Sequence, residues 1–595
     1  MRVADYLMDR LVAIGVQQVF FLPGGGAMHL NDALALQTRL EPVLCLHEQA
    51  CGIAAEAAGK LLSRPTAVLV TSGPGATNVV TATLAAWLDS TPVIFLSGQV
   101  KSADLKTGTK LRMLGVQEAD IVSMVAGITK AAVTLLKAED VAYQFDRLEY
   151  LALSGRRGPV WLEVPLDIQA TEVEVEGLRR WCPPAPDSVL GLAAQVVQAL
   201  AMLAAAERPV IVAGSGVRLA GGEALFRTFF ESLGVPVCTS WLGMDLIEDK
   251  HPLYAGRPGS IAPRWANFAL QNADLVFCIG CRLDMAMTAY AHDRFARGAR
   301  KIMVDIDAAE IDKMRMQIDL PIVADAKAFL VAANQTMRSS KPPACQSWLD
   351  QIARWKEQYP LLQPEHRTND GPLSMYHFTD VLSEHLAEGD VIATGAAGFA
   401  VELFLLALRL KRGQRCFHNR GTGSMGFGVP AAIGACVAAG RSRTICIEGD
   451  GGLQMNVQEL ATLAAMQLPV KCFIINNQGY ASIRASQRGY FNRVLGADAS
   501  SGLLLPSLEK LADAYAIRYM KIDSAEHLAE QFDQALAGDK PLLCEVVVLA
   551  EEPRIPRVAT RKGANGTMES SPLEDLFPFL DREELRRNMY IPVID

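Results

Sequence analysis

The chain reads as an α/β protein built from three doubly wound parallel-sheet domains and a C-terminal tail. Three observations predict this. Its 595 residues are too many for a single hydrophobic core. Two Pro-rich stretches, Trp181-Cys-Pro-Pro-Ala-Pro-Asp-Ser188 and Ser339-Ser-Lys-Pro-Pro-Ala344, cut it into three blocks. Within each block short β-rich runs alternate with longer helical patterns, the order that βαβ units on a parallel sheet produce.

The expected domains span 1–180, 188–340 and 365–550, with a tail over 551–595. In the first, Ala67-Val-Leu-Val70 and Pro92-Val-Ile-Phe-Leu96 are buried-strand candidates. In the second these are Pro209–Val212, Leu275–Phe277 and Lys301–Val304; in the third, Val391–Ala393, Thr444–Ile447 and Val470–Ile475. The tail, richer in charge, Pro and Gly, reads as extended chain with one short helix over Arg582–Met589. No internal repeat is visible in the sequence.

Half the residues are hydrophobic, 21% are charged and 47 are glycine, a composition that suits a soluble enzyme. A net charge of −8, a pI near 5.7 and the lack of a basic run argue against a nucleic-acid partner. The amino terminus enters an amphipathic helix pattern at once, unlike a signal peptide. The longest nearly apolar stretch, Val429–Gly440, is too short to span a bilayer. Twelve scattered cysteines read as reduced thiols, so a cytoplasmic setting without membrane contact is expected. Cys278 and Cys281 fall in an apolar strand and its turn, with no second pair to complete a metal site.

The sharpest chemical signal is Ile447-Glu-Gly-Asp-Gly-Gly452, then a helix over Val457–Met466, a strand, and Asn476-Asn-Gln-Gly-Tyr480. A strand, crossover helix and parallel strand bring both loops to one carboxyl edge of the sheet. There Asp450 offers a carboxylate oxygen, Asn477 an amide oxygen and Gly479 a carbonyl. Such donors suit Mg²⁺, with diphosphate oxygens completing an octahedron. Gly451 and Gly452 let backbone N–H groups approach phosphate. Taken alone, Gly-Asp-Gly and Asn-Gly are ordinary turns. Together, at this separation, they resemble the thiamine diphosphate (ThDP) signature of the family that includes acetolactate synthase, pyruvate oxidase and pyruvate decarboxylase.

The resemblance extends to Leu46-His-Glu-Gln-Ala50, which matches the family's Arg-His-Glu-Gln pattern except for Leu46. It implies that Glu48 hydrogen-bonds the aminopyrimidine of the cofactor and so activates it. Flanking matches are Leu22-Pro-Gly-Gly25, Thr71-Ser-Gly-Pro-Gly-Ala-Thr-Asn78 and Ser97-Gly-Gln-Val100, which place Gly25, Thr71 and Asn78 at the cofactor. Met425, in Gly421-Thr-Gly-Ser-Met425, matches the bulky residue that bends the cofactor, and Gly423 the carbonyl that holds its amino group. Gly398 and Tyr480 are further cofactor neighbours. The family also implies a homodimer or tetramer in which Glu48 and the diphosphate loops meet across the subunit interface.

In the middle block Gly214-Ser-Gly216, Gly280-Cys-Arg-Leu-Asp284 and Val304-Asp-Ile-Asp307 each follow a strand. They resemble the places where acetolactate synthase holds FAD. The expected reaction is decarboxylation of pyruvate with transfer of the two-carbon unit to a ketone or aldehyde acceptor. Gln117 is expected to contact the reacting group and His29 to act as an acid. Arg282 and Arg484 are candidate anchors for an acceptor anion. Ser486 stands where the family's acceptor-selecting tryptophan is expected, leaving room for a bulkier acceptor. Together with Leu111-Arg-Met-Leu-Gly115, Gly395-Ala-Ala-Gly-Phe399 and Asn565–Asp575, this is similar to carboligases of the yersiniose pathway, which act on a nucleotide-linked keto-deoxysugar. An acetolactate synthase catalytic subunit, or a pyruvate oxidase, is the alternative.

Overall fold

A computed structural model of the chain describes residues 1–185, 191–337, 343–367, 371–395, 398–562 and 568–594. Parts of both Pro-rich separators, Ala396 and Ala397, and residues 565–567 of the tail stretch singled out above lie outside the described residues.

The alternating pattern resolves into three six-stranded sheets whose strands are all parallel. The first contains β1 (Gln18–Phe21), β2 (Glu41–Leu44), β3 (Thr66–Val70), β4 (Val93–Gln99), β5 (Ala132–Thr134) and β6 (Val160–Pro165). The second contains β7 (Pro209–Ala213), β8 (Val237–Thr239), β9 (Tyr254–Gly256), β10 (Leu275–Ile279), β11 (Arg300–Asp305) and β12 (Leu320–Val323). The third contains β13 (Val391–Thr394), β14 (Arg415–Phe417), β15 (Thr444–Gly449), β16 (Val470–Asn476), β17 (Arg518–Ile522) and β18 (Leu542–Val547). Strands buried on both faces, such as β3, β7 and β10, are predominantly Val, Ile, Leu, Phe and Ala because helices cover both sides.

Strand order is where the architecture becomes informative. The first sheet runs β2-β1-β3-β4-β6-β5 and the third β14-β13-β15-β16-β18-β17. Counted from its own first strand, each is 2-1-3-4-6-5, so the outer units repeat one topology that no sequence similarity announced. The middle sheet, β12-β11-β10-β7-β8-β9, counts as 6-5-4-1-2-3, the other doubly wound order. The principal reversals lie between β1 and β3, between β7 and β10, and between β13 and β15; in the outer sheets the last two strands also exchange order at the edge. A crevice opens at the carboxyl ends of the strands at each such point.

The outer units share one hydrophobic core through two helices, Glu48–Leu62 and Gly428–Ala438. Both are rich in alanine, which favours helix and lets backbones approach closely. Gly434 is the tightest point: a Cβ there would overlap the Ala54 carbonyl. The apolar run at 429–440 is thus a buried core helix. None of the helices among the described residues is long and apolar enough to cross a membrane.

The expected Val457–Met466 helix is broken up. A helical turn starts at Asp450 itself (Asp450–Leu453), passes through a 3₁₀ turn, and resumes at Glu459–Ala465. The tail holds its helix at Arg582–Arg587 and adds an antiparallel strand pair, Thr560–Lys562 with Met568–Ser570. It is tied to the middle unit: Asn267 Nδ2 donates to the Leu573 carbonyl (2.7 Å) and Trp355 Nε1 to Asn588 Oδ1 (2.7 Å).

Because Gly434 sits backbone against backbone, Gly434→Val forces the two helices apart. It should cost about 1–3 kcal/mol, read as a lower midpoint in urea denaturation; an unchanged midpoint would contradict this packing.

Candidate active site

The third sheet reverses between β13 and β15, and its loops converge there. Asp450, 5% exposed, directly follows β15. Its Oδ2 accepts the Gly479 N–H (2.8 Å) and its Oδ1 the Gly451 N–H (2.7 Å). Burial pushes its carboxyl up to about 6, against the opposing pull of those N–H groups. Asn477 is also buried, yet its side-chain amide makes no hydrogen bond among the described residues. Its amide oxygen is therefore free to take a ligand. Asp450 accepts two backbone N–H groups, but its carboxylate makes no ion pair among the described residues. A divalent cation carrying phosphate oxygens supplies what both lack, so the donor set fits Mg²⁺ and a diphosphate. The Gly479 carbonyl also accepts the Ala481 N–H (3.1 Å), which leaves its second lone pair.

Around this pair, backbone geometry keeps side chains out. Gly479 has φ +109° and Gly398 φ +102°, values that glycine adopts without strain. A Cβ on Gly451 would strike the Tyr480 ring, and one on Gly452 would strike Glu448 Oε1. Met425, 42% exposed, ends a loop anchored by Asn419, whose Oδ1 accepts the Thr422 (2.9 Å) and Gly423 (3.2 Å) N–H groups. Next to Met425, Gly426 is held by Asn456 Nδ2, which donates to its carbonyl (2.9 Å).

The first sheet reverses between β1 and β3. Thr71 Oγ1 accepts the Gly26 N–H (3.0 Å), which joins the turn holding Gly25 to the loop after β3. Glu48 opens its helix just beyond β2, buried, and its Oε2 accepts from Asn78 Nδ2 (2.9 Å). Gln117, left-handed at φ +66°, lies with its backbone against Gly73 of the same loop. Glu48, Thr71, Asn78 and Gln117 are therefore gathered into one cluster. His29, in the first turn of the helix Met28–Leu36, makes no hydrogen bond among the described residues.

Arg484 does not fill the acceptor role considered for it. It is buried, and its guanidinium donates to the carbonyls of Asn477 (3.0 Å), Gln478 (3.0 Å) and Ala550 (2.7 Å), bracing the loop that bears Asn477. The middle reversal, between β7 and β10, opens a cleft of about 330 Å³ lined by Ser215, Arg282, Asp305 and Asp325. Gly214, Gly216 and Gly280 line this cleft and pack against one another. Arg282 donates to the Leu88 carbonyl (3.1 Å) and lines the cleft.

Two features escaped the reading of the sequence. Glu448, 3% exposed, accepts the Gly428 (2.8 Å) and Gly449 (2.9 Å) N–H groups, and burial pushes its carboxyl up to about 7. An acid ending an apolar strand was its only signal. Lys60 is buried between Glu56 (2.7 Å) and Asp89 (2.8 Å). Burial acts to discharge Lys60, but the two carboxylates outweigh it and raise its pKa.

Asp450 allows a linkage test. A folded-state pKa raised above the ordinary 3.8 gives stability that is present below 3.8 and lost as pH rises through about 6. Asp450→Asn should therefore stabilise the metal-free protein at pH 8 by up to about 3 kcal/mol, and change nothing at pH 3. Thermal denaturation at both pH values checks this.

Sequence comparisons agree with the geometry. The chain matches the thiamine pyrophosphate enzyme N-terminal TPP binding domain over residues 1–124, the central domain over 196–333 and the C-terminal TPP binding domain over 395–546. It is similar to the probable acetolactate synthase large subunit of Methanocaldococcus jannaschii, at 32% identity covering 92% of each chain. It is likewise similar to the acetolactate synthase large subunit of Lactococcus lactis subsp. lactis (31%, covering 93% of this chain and 94% of the relative). The isozyme 2 large subunit of Escherichia coli is 31% identical, covering 92% of this chain and 95% of the relative. A chain with two matching switch-point clusters and these relatives belongs to the thiamine pyrophosphate enzyme family that includes the acetolactate synthase large subunits.

Proposed function

We propose that this enzyme decarboxylates pyruvate and joins the two-carbon unit to a carbonyl acceptor, as an acetolactate synthase does with a second 2-oxo acid. The observation that carries this reading is the placement of Asp450 and Asn477, both buried, at one sheet's reversal, with Glu48 buried at the other's. Relatives named acetolactate synthase over nearly the whole length support it.

Bound ThDP supplies a carbon nucleophile for the 2-oxo group and an electron sink for loss of CO₂. The chain's own part is positional. Asp450, Asn477 and the Gly479 carbonyl would hold Mg²⁺, while the turn at Gly451 and Gly452 and the backbone at Gly398 would face diphosphate oxygens. Tyr480, packed on Gly451, fixes that turn. Met425 and Gly423 would support the cofactor from the loop rooted at Asn419. Glu48, aimed by Asn78, would accept the pyrimidine hydrogen bond, with Gly25 and Thr71 shaping the wall beside it. Gln117 is assigned to the reacting carbonyl and His29 to proton delivery to the product oxygen. FAD is assigned to the middle cleft, where Asp305 and Arg282 offer partners for ribose and diphosphate.

Exposed apolar side chains flank both clusters: Met28, Leu46 and Val116 (82%) in the first unit, Tyr490 (79%) and Phe491 in the third. Their burial against a second copy is the driving force for the dimer that would complete each site.

A second reading, a nucleotide-linked keto-deoxysugar as acceptor, is favoured by Ser486. Its side chain is exposed and only back-bonds to the Ser482 carbonyl (3.0 Å), so no wall closes the acceptor side there.

Incubation with pyruvate, ThDP and Mg²⁺, with and without ketone acceptors, tests both by mass analysis. Acetolactate from pyruvate alone is expected on the first reading, crossed adducts on the second. Glu48→Gln should lower kcat by roughly 10²–10⁴-fold while ThDP still binds. Full speed in that variant would end the proposal.

A further inference from the structure

The helix Ala481–Phe491 starts directly after the loop that bears Asn477 and Gly479, and its second residue is Ser482. The Ser482 Oγ is buried and has no hydrogen-bond partner among the described residues. A helical serine ordinarily satisfies itself by donating to the carbonyl four residues back. Ser486, one turn further on, does so with the Ser482 carbonyl (3.0 Å). For Ser482 the corresponding carbonyl is that of Gln478, which already accepts Arg484 Nη1 (3.0 Å), while Nη2 takes the Asn477 carbonyl (3.0 Å). The brace on this loop leaves the hydroxyl over.

Two backbone donors lie beside it. The Ser482 and Ile483 N–H groups, in the first turn of this 11-residue helix, have no acceptor among the described residues. Their neighbours do: Ala481 N–H donates to the Gly479 carbonyl (3.1 Å) and Arg484 N–H to that of Tyr480 (2.9 Å). Facing the hydroxyl stands Gly398, left-handed at φ +102° and at the head of the helix Phe399–Ala407. A Cβ built on Gly398 would lie 3.9 Å from Ser482 Oγ and, chain neighbours aside, meet no other described atom within 4 Å. Open ground therefore lies in front of the hydroxyl. One hydroxyl and two N–H groups at the positive end of a helix suit an anion. The anion that the adjoining Asn477 and Gly479 would bring there, through Mg²⁺, is a diphosphate.

We propose that Ser482 is a further cofactor-binding residue, its hydroxyl and the two first-turn N–H groups donating to a diphosphate oxygen of ThDP. This rests on the reading of Asp450 and Asn477 given above and adds a residue to it; no covalent step is involved. The carboxylate of a 2-oxo acid has the same acceptor chemistry, so the test separates the two.

The full-length protein freed of cofactor is titrated calorimetrically with ThDP, and separately with inorganic pyrophosphate, in the presence of Mg²⁺. Wild type is compared with Ser482→Ala and with Ser482→Cys, which keeps the size but donates weakly. Both variants should bind both compounds at least about tenfold more weakly, as the loss of a hydrogen bond to a charged acceptor requires. The melting temperature of the cofactor-free protein should not fall, because the hydroxyl bonds nothing there, and the KM for pyruvate at saturating ThDP should be unchanged. Equal ThDP affinity in wild type and variants, a raised pyruvate KM in its place, or a lower cofactor-free melting temperature would overturn the proposal. So would a loss confined to ThDP, or a wild type that binds ThDP but not pyrophosphate. A wild type that bound neither compound would instead remove the Asp450 and Asn477 reading on which this one stands.

Discussion

The close approach of the helices Glu48–Leu62 and Gly428–Ala438 is the constraint on which the rest depends. Alanine and glycine on both faces let the outer units meet backbone against backbone, with Gly434 at the Ala54 carbonyl. The same contact seats an ionic group that would be costly elsewhere. Lys60 joins Glu56 and Asp89 and donates to the His418 carbonyl (3.0 Å), while Asp89 accepts the Gly421 N–H (3.1 Å). Buried charges persist only when paired and hydrogen-bonded, so this arrangement tolerates little displacement. Its geometric consequence bears on the proposed site. The helix that begins with Glu48 and the loop that carries Gly423 and Met425 are fastened to one buried cluster.

Parallel sheets explain why the chemistry is concentrated as it is. At each reversal of strand order neighbouring loops leave in opposite directions, and the crevice between them is lined by backbone. The third sheet places Asp450 there, the first places Thr71 and the Gly25 turn, and the middle sheet opens the cleft at Ser215 and Arg282. Polar groups at these points lack partners from secondary structure. Asn477, whose side-chain amide has no partner among the described residues, and the Asp450 carboxyl, raised by burial, both sit at the third sheet's reversal. The Arg484 guanidinium, by contrast, is fully used in bracing three carbonyls.

The tail has a comparable double character. Its bonds to the helix Arg264–Gln271 and to Trp355 fasten it to the middle unit, and its first residues reach the third. Ile555 donates its N–H to the Tyr376 hydroxyl (2.9 Å). Arg554 and Arg557 are thereby delivered to a chamber beside the middle cleft whose other walls come from distant segments.

Local order in the chain was sufficient for the α/β class and most strand positions, and it singled out Glu48, Asp450, Asn477 and Gly479, the residues the proposed function uses. Period, turn chemistry and short motifs are local properties, and they survive in one dimension. The boundaries of the helix after Asp450 were not legible, because tertiary packing on Gly426 and Asn456 bends that segment. Nor was the shared 2-1-3-4-6-5 order, since topology needs only the pattern of buried faces and many sequences satisfy it. Glu448, the Lys60 cluster, the role of Arg484 and the approach of Ser482 to Gly398 were decided by the tertiary structure alone. Each depends on groups far apart in the chain sharing a low-dielectric space, and that distance-dependent physics leaves no trace in spacing.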